Sequence, residues 1–207
     1  MMPPEPPRLT GRRTVLRPIY PDDYPILFKW EIDVETLYLW RPHAQTPRYD
    51  EYVQNMRGAG RDGAHVQMLV MERSTGQPIG TVYSFDVSLV NGYASFGIYL
   101  DPSHTGRGLG VEAGYLFVNY LMTYYPFRKL YTDIYSYNEH SLHVATEIGF
   151  VIEGTLKAHR WFDGRYWDLH KLALYRDTWE KCKSALAPLV DTSSSDDIGE
   201  AGSISQT

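Results

Sequence analysis

Three glycines fall within five residues of this chain, in the run Thr105-Gly106-Arg107-Gly108-Leu109-Gly110. Glycine reaches left-handed backbone without a Cβ penalty, so successive N–H groups can be turned toward one point. An alternating, aromatic-rich run from Tyr93 to Tyr99 leads into the segment, and a helical pattern leaves it. Donors gathered at a helix start, with the helix dipole behind them, make a site for a phosphate or pyrophosphate.

Several glycine patterns bind such anions, and they differ in detail. A Walker A loop ends in Gly-Lys-Ser or Gly-Lys-Thr, and this run contains no lysine, which excludes it. The dinucleotide pattern G-x-G-x-x-G/A is met in form by Gly108, Gly110 and Ala113, with Asp133 roughly twenty residues on. That motif opens the first βαβ unit of a doubly wound domain. Here a long stretch of other structure precedes it and no second βαβ follows. A glycine-rich surface turn is the third reading.

The flanking motifs add a resemblance. Tyr137-Asn138-Glu139-His140-Ser141-Leu142 and Glu147-Ile148-Gly149-Phe150 are similar to the Asn-x-x-Ser/Ala helix and terminal Gly-Phe of the GCN5-related N-acetyltransferases. Val151-Ile152-Glu153-Gly154-Thr155-Leu156 and Asp163-Gly164-Arg165-Tyr166-Trp167-Asp168 resemble the closing hairpin of that family's ribosomal-protein-acetyltransferase-like branch. The family's pyrophosphate loop reads Arg/Gln-x-x-Gly-x-Gly/Ala. This chain supplies Gly108-Leu109-Gly110 in frame, with Thr105 at the leading position. The resemblance runs from about residue 10 to about residue 180.

It implies acetyl-CoA as co-substrate; no metal is expected, since the residues show no metal-ligand spacing. The cofactor would lie between splayed parallel fourth and fifth strands, Tyr93–Leu100 and Lys129–Tyr135. Backbone around Ile98, Tyr99 and Leu100 would polarise the thioester. Thr105, Gly106, Arg107, Gly108, Leu109 and Gly110 would hold the pyrophosphate, and Asn138 and Ser141 the pantetheine arm. An amine would then attack directly, its oxyanion held by preorganised donors.

Two proton tasks remain: deprotonating an ammonium and protonating the leaving thiolate. Many relatives place a Tyr one turn before the Gly-Phe, where this chain has Ala145, so Ser141 is the candidate acid. Relatives often carry a Glu where this chain has Ser95. Asp133 is the candidate base, with His65, Asp86, Glu31 and His159 as substitutes. Each has a structural alternative: Asn138 as a helix cap, Ser141 as packing, Asp133 as a strand surface charge. The acceptor pocket is expected from Trp30, Glu31, Tyr38, Trp40, Trp161 and Trp167. Those rings equally suit satellite core. Two aromatic edges fit a flat or sugar-like amine better than a polyamine.

The elements that position these residues follow from pattern. Thr14–Ile19 alternates as a first strand. Helical spacing covers Tyr24–Trp30 and Asp50–Arg57, with a break at Trp40-Arg41-Pro42-His43. Strands are read at Val66–Met71, Ile79–Phe85, Tyr93–Leu100, Lys129–Tyr135, Ile152–Leu156 and Trp167–Tyr175. Helices are read at Gly108–Tyr124 and Glu139–Glu147. The expected fold is α+β: a mixed, mostly antiparallel sheet with helices on both faces.

At 207 residues and 43% apolar content the chain can bury one ordinary core. The expected division is a flexible segment 1–9, a catalytic domain 10–182 and a disordered, acidic, Ser-rich tail 183–207. Asp191, Asp196, Asp197 and Glu200 in that tail account for most of the net charge of −5, so the remainder is nearly balanced. Nothing reads as a nucleic-acid footprint. A single cysteine, no bilayer-length apolar run and no signal-peptide core point to a soluble, cytoplasmic protein with no membrane partner. The family resemblance adds a homodimer. The leading function is acetyl transfer to a primary amine of a small molecule, an amino sugar or antibiotic-like metabolite. Alternatives are Nα-acetylation of a protein terminus, O-acetylation and a non-catalytic acyl-CoA-binding module.

Overall fold

A computed structural model describes residues 8–40, 47–58 and 65–189 of the chain. Its strands are β1 (Leu9–Thr10), β2 (Thr14–Pro18), β3 (Gln67–Glu72), β4 (Pro78–Ser88), β5 (Tyr93–Leu100), β6 (Lys129–Tyr135), β7 (Val151–Phe162) and β8 (Arg165–Tyr175). Its helices are α1 (Tyr24–Glu31), α2 (Val34–Trp40), α3 (Tyr49–Gly58), α4 (Leu109–Tyr124), α5 (Glu139–Ile148) and α6 (Arg176–Leu186). The strands form one sheet in the order β1-β2-β3-β4-β5-β6-β8-β7. All neighbours are antiparallel except β5 and β6, which run parallel.

Alternation along β5 separates two faces. Ala94 and Phe96 enter the larger core with Leu109, Ala113, Phe117 and Leu121, which recur along one side of α4. Tyr99 belongs to a second cluster with Leu27 and Trp30 of α1 and Tyr52 of α3. Each such buried side chain contributes about 1.5–3 kcal/mol of transfer free energy. The sheet is therefore covered on both faces, as the pattern predicts. Helices α4 and α5 pack closely because Gly114 leaves room for Ile148. A Cβ there would stand 2.5 Å from Ile148 Cδ1.

Three elements escape the pattern reading. The segment read as a break at Trp40 is preceded by a whole short helix, α2, whose seven residues are too few to show a period. Helix α6 is polar along most of its length and is seated by one fully buried ring, Trp179. It continues past the boundary expected at residue 182, and a 3-10 turn, Ala187–Leu189, follows it. Strand β7 runs well beyond Leu156, because register shifts between Ile152 and Gly154 and between Leu156 and Arg160 break its alternation. Leu9, at the end of the segment expected to be flexible, pairs with Leu16. Residues 1–7 and 190–207, with nearly all of the acidic tail, lie outside the described residues.

Candidate active site

The parallel pairing of β5 and β6 joins Tyr93 to Lys129, Ala94 to Leu130 and Ser95 to Tyr131, and goes no further. Both strands continue, β5 to Leu100 and β6 to Tyr135, while β5 stays bonded to β4 through Leu100. The two strands therefore splay, and the β5 backbone beyond Phe96, with Ile98, Tyr99 and Leu100, borders the opening. Backbone groups at such an opening need partners. A ligand carrying its own amides would supply them.

The glycine run leads from this opening into α4. Gly106 and Gly108 both have φ of +72°, a region where other residues are strained. Gly108 is the N-cap of α4, and no side chain caps that helix start. The first-turn N–H groups, from Leu109 and Gly110 onward, are left without intrahelical acceptors. A Cβ at Gly106 would meet nothing within 4 Å, so the space beside the loop is open. Donors, dipole and room fit a pyrophosphate.

The other side of the loop is anchored. Arg13 Nη1 donates to the Arg107 carbonyl at 2.6 Å, and Arg107 Nη2 bonds Glu72 Oε1 at 2.7 Å. The Arg107 side chain is thus committed to β3. Thr105 Oγ1 donates to the Pro102 carbonyl at 2.8 Å, closing the preceding turn. Beneath the loop, Glu112 is buried in the first turn of α4. Its Oε1 accepts from Arg13 N, Thr14 N and Thr14 Oγ1, and its Oε2 from Arg13 Nε. The sequence reading passed over Glu112. Its signal was an acid in a first helical turn, where the dipole favours one.

Asn138 is the N-cap of α5 and its Oδ1 accepts the Ser141 N–H at 3.1 Å, the capping geometry. Ser141 therefore stands directly against Asn138, half-buried at the helix start that follows β6. Asp133 lies on the exposed side of β6 and both its oxygens accept from Lys171 Nζ, at 2.8 and 3.1 Å.

A cavity of about 310 Å³ opens on the face of the sheet opposite α4. Trp30, Glu31, Tyr52, His65, Tyr83 and Tyr99 are among its walls. Burial pushes the Tyr99 phenol up to about 12, so this hydroxyl stays protonated at neutral pH. Two of the expected acceptor residues, Trp30 and Glu31, are here, and His65, one of the substitute bases, joins them.

Tyr38 and Trp167 belong to a separate cluster at the end of the β7–β8 hairpin. The Tyr38 ring stacks on Phe162 at 4.8 Å, and Trp167 meets Tyr137 edge-on at 5.4 Å. Arg160 Nη1 donates to the Tyr38 carbonyl at 2.7 Å and also bonds Tyr137 Oη, which itself donates to that carbonyl at 2.6 Å. Together they cap the C-terminal turn of α2, where a cation is favoured. Trp161 points away from this cluster: it is 60% exposed and packs edge-on against Tyr166. The Trp40 side chain lies outside those described.

No group of three or more His, Cys, Asp or Glu among the described residues is arranged to hold a metal. No helix among them is long and apolar enough to cross a membrane.

Residues 13–151 match a family model described as an acetyltransferase (GNAT) domain. A spermidine N(1)-acetyltransferase of Escherichia coli (strain K12) is 28% identical over 101 residues, 49% of this chain and 54% of its own. The chain thus spans about half the length of that curated relative. A crystal structure of spermidine N-acetyltransferase from Vibrio cholerae with CoA and spermine superposes with a TM-score of 0.75 at 21% identity. That match covers 81% of this chain and 98% of the other. A ribosomal L7/L12 alpha-N-protein acetyltransferase in complex with coenzyme A gives a TM-score of 0.70 at 18% identity, covering 83% and 99%. Both structures share the fold.

Proposed function

Because the chain belongs to the GNAT acetyltransferase family, we propose that it moves an acetyl group from acetyl-CoA to a primary amine of a small molecule. The observation that carries this reading is a juxtaposition. The end of β5 has the glycine loop on one side and, through Tyr99, the cavity on the other. Acetyl-CoA held by its pyrophosphate on the loop lays its thioester in the β5 opening, and an amine in the cavity reaches the same place.

The amine nitrogen attacks the thioester carbon, the C–S bond breaks and the thiolate leaves. Holding both reactants in one complex removes most of the entropic barrier to their meeting. Backbone N–H groups around Ile98 to Leu100 hold the developing oxyanion. Glu31, a buried carboxylate in the cavity wall, takes the ammonium proton. It replaces Asp133 in that role, because Lys171 already holds both Asp133 oxygens. As the intermediate collapses, Ser141 passes its hydroxyl proton to the thiolate and takes up the second proton released by the attacking nitrogen, so the hydroxyl is restored. Asn138 holds Ser141 in place through its backbone N–H.

A cavity of about 310 Å³ lies at the lower end of the range for small-molecule sites. Among its described walls the one carboxylate is Glu31, set between aromatic rings. That favours an amine with one cationic centre and a flat or sugar-like body, stabilised by ring faces, over a polyamine. Spermidine, the substrate in the names of the similar enzymes, is the natural comparison in any amine panel. Nα-acetylation of a protein terminus is the second reading, favoured by the exposed Trp161 and Tyr166 at the hairpin tip. A reducing, cytoplasmic setting and a homodimer belong to the same proposal.

Initial rates at varied acetyl-CoA and amine test the mechanism. Intersecting double-reciprocal lines support direct transfer, and parallel lines would point to an acetyl-enzyme instead.

A further inference from the structure

Trp30 and Asp101 join the two halves of this site. The Trp30 ring lines the cavity, is 3% exposed and packs 5.6 Å from the Tyr99 ring. Its Nε1 donates to Asp101 Oδ2 at 3.2 Å. The other oxygen, Oδ1, accepts from Ser103 N at 3.0 Å and from Ser103 Oγ at 2.6 Å. Ser103 Oγ also meets His104 Nδ1 at 2.9 Å. Asp101 N donates to the Ile79 carbonyl of β4, and its own carbonyl accepts from His104 N, both at 2.9 Å. One carboxylate thus holds the cavity wall with one oxygen and the turn leading to the glycine loop with the other. Burial raises the Asp101 carboxyl, and hydrogen bonds from Ser103 and Trp30 outweigh it, leaving the group below its usual value.

We infer that Asp101 is a positioning residue linking occupancy of the acceptor cavity to the grip of the glycine loop on CoA. The inference rests on the acetyl-transfer reading for the identity of the two ligands. An amine seated against Trp30 fixes the indole N–H on Asp101 and, through it, the Pro102–His104 turn at the end of β5. Coupling of this kind is reciprocal: CoA on the loop also prepares the cavity wall.

A titration of CoA into the full chain tests the link without any acceptor. Trp30→Phe keeps a ring against Tyr99 and removes the donor together with the second ring of the indole, and Asp101→Asn leaves one acceptor oxygen, which cannot serve Trp30 and Ser103 at once. Each single change weakens CoA binding about three- to tenfold, the range of one net hydrogen bond. The double variant binds no more weakly than the weaker single, because either change already breaks the one path from Trp30 through Asp101 to Ser103. If Asp101→Asn does not fold, Ser103→Ala takes its place in the cycle. CoA affinity unchanged in Trp30→Phe, or single effects that multiply in the double variant, would overturn the link.

A kinetic arm reads the same coupling. With the best amine from a panel, the wild-type KM for amine falls as acetyl-CoA approaches saturation, and this dependence is lost in both single variants. If the variants keep it, the link is wrong. If the wild type releases no CoA with any amine, the acetyl-transfer reading fails, and the CoA titration still decides the link.

Discussion

Glu112 Oε1 accepts the Thr14 backbone N–H at 2.8 Å, fastening the first turn of α4 to β2. The same oxygen takes Arg13 N and Thr14 Oγ1, so one buried carboxylate satisfies three donors where the β1–β2 turn enters β2. A Cβ at Gly11 would stand 2.4 Å from it, which shows how closely the chain wraps this group. Glu112→Ala leaves those donors without an acceptor in a buried site. The expected loss is about 3 kcal/mol of unfolding free energy, measured by urea denaturation. Weaker CoA binding should accompany it, since Arg13 also holds the Arg107 carbonyl. An unchanged denaturation midpoint would contradict this role.

Gly108→Ala tests the loop itself. The backbone there has φ of +72°, and a Cβ would come within 3.0 Å of Arg13 Nη2. Left-handed strain alone costs about 1–2 kcal/mol. Relief of that strain turns the N-cap, and the loop donors lose their common aim. CoA affinity measured by calorimetry should fall at least tenfold, and equal affinity would show that the loop does not bind it.

Glu31→Gln separates the proposed base from a packing role. A general base in the transition state is worth about a hundredfold or more in rate. The expected result is a drop of that size in kcat/KM with CoA affinity retained. A variant that keeps its rate assigns Glu31 to the cavity wall only.

Stability should fall at alkaline pH, with a defined window. Burial raises the phenols of Tyr99 and Tyr137 to about 12 in the folded chain, with the Arg160 guanidinium partly offsetting it at Tyr137. In the unfolded chain these groups titrate near 10. A raised folded value means the native state keeps the proton after the unfolded state has released it. The stabilisation is therefore complete below about pH 10 and is lost progressively toward about pH 12. Denaturation midpoints across that window, for the wild type and Tyr137→Phe, should show a shallower decline in the variant.

The parts of the site that were legible in the sequence are those where residue type follows from local backbone. Gly106 and Gly108 announce left-handed positions, and Asn138 announces a helix start. Alternation and helical spacing likewise revealed β5 and α4, whose buried faces dictate period. Partners brought from far along the chain were not legible. Glu112 meets residues 98 and 99 positions away, Trp30 meets Asp101 across 71, and Arg160 meets Tyr38 across 122. Strand β7 was cut short because its two register shifts remove the alternation that identifies a strand. One of those shifts, between Leu156 and Arg160, includes Ala158 at φ of +48°. Asp168 holds it through a hydrogen bond to Ala158 N at 2.9 Å, and Arg160 follows two residues later. The acceptor residues were expected as one aromatic pocket. The fold divides them between the α1–α3 cavity and the hairpin cluster, because Tyr38 sits on a helix that the pattern did not show.

Product analysis tests the central claim most directly. The full chain is incubated with acetyl-CoA and a panel of amino sugars, aromatic amines, spermidine and peptides with free N-termini. Thiol release is then followed, and products are identified by mass. The account predicts that a small-molecule primary amine is N-acetylated, with one CoA released per product and a higher kcat/KM than any peptide. Binding of acetyl-CoA without amine-stimulated CoA release, or turnover of peptide N-termini alone, would contradict it.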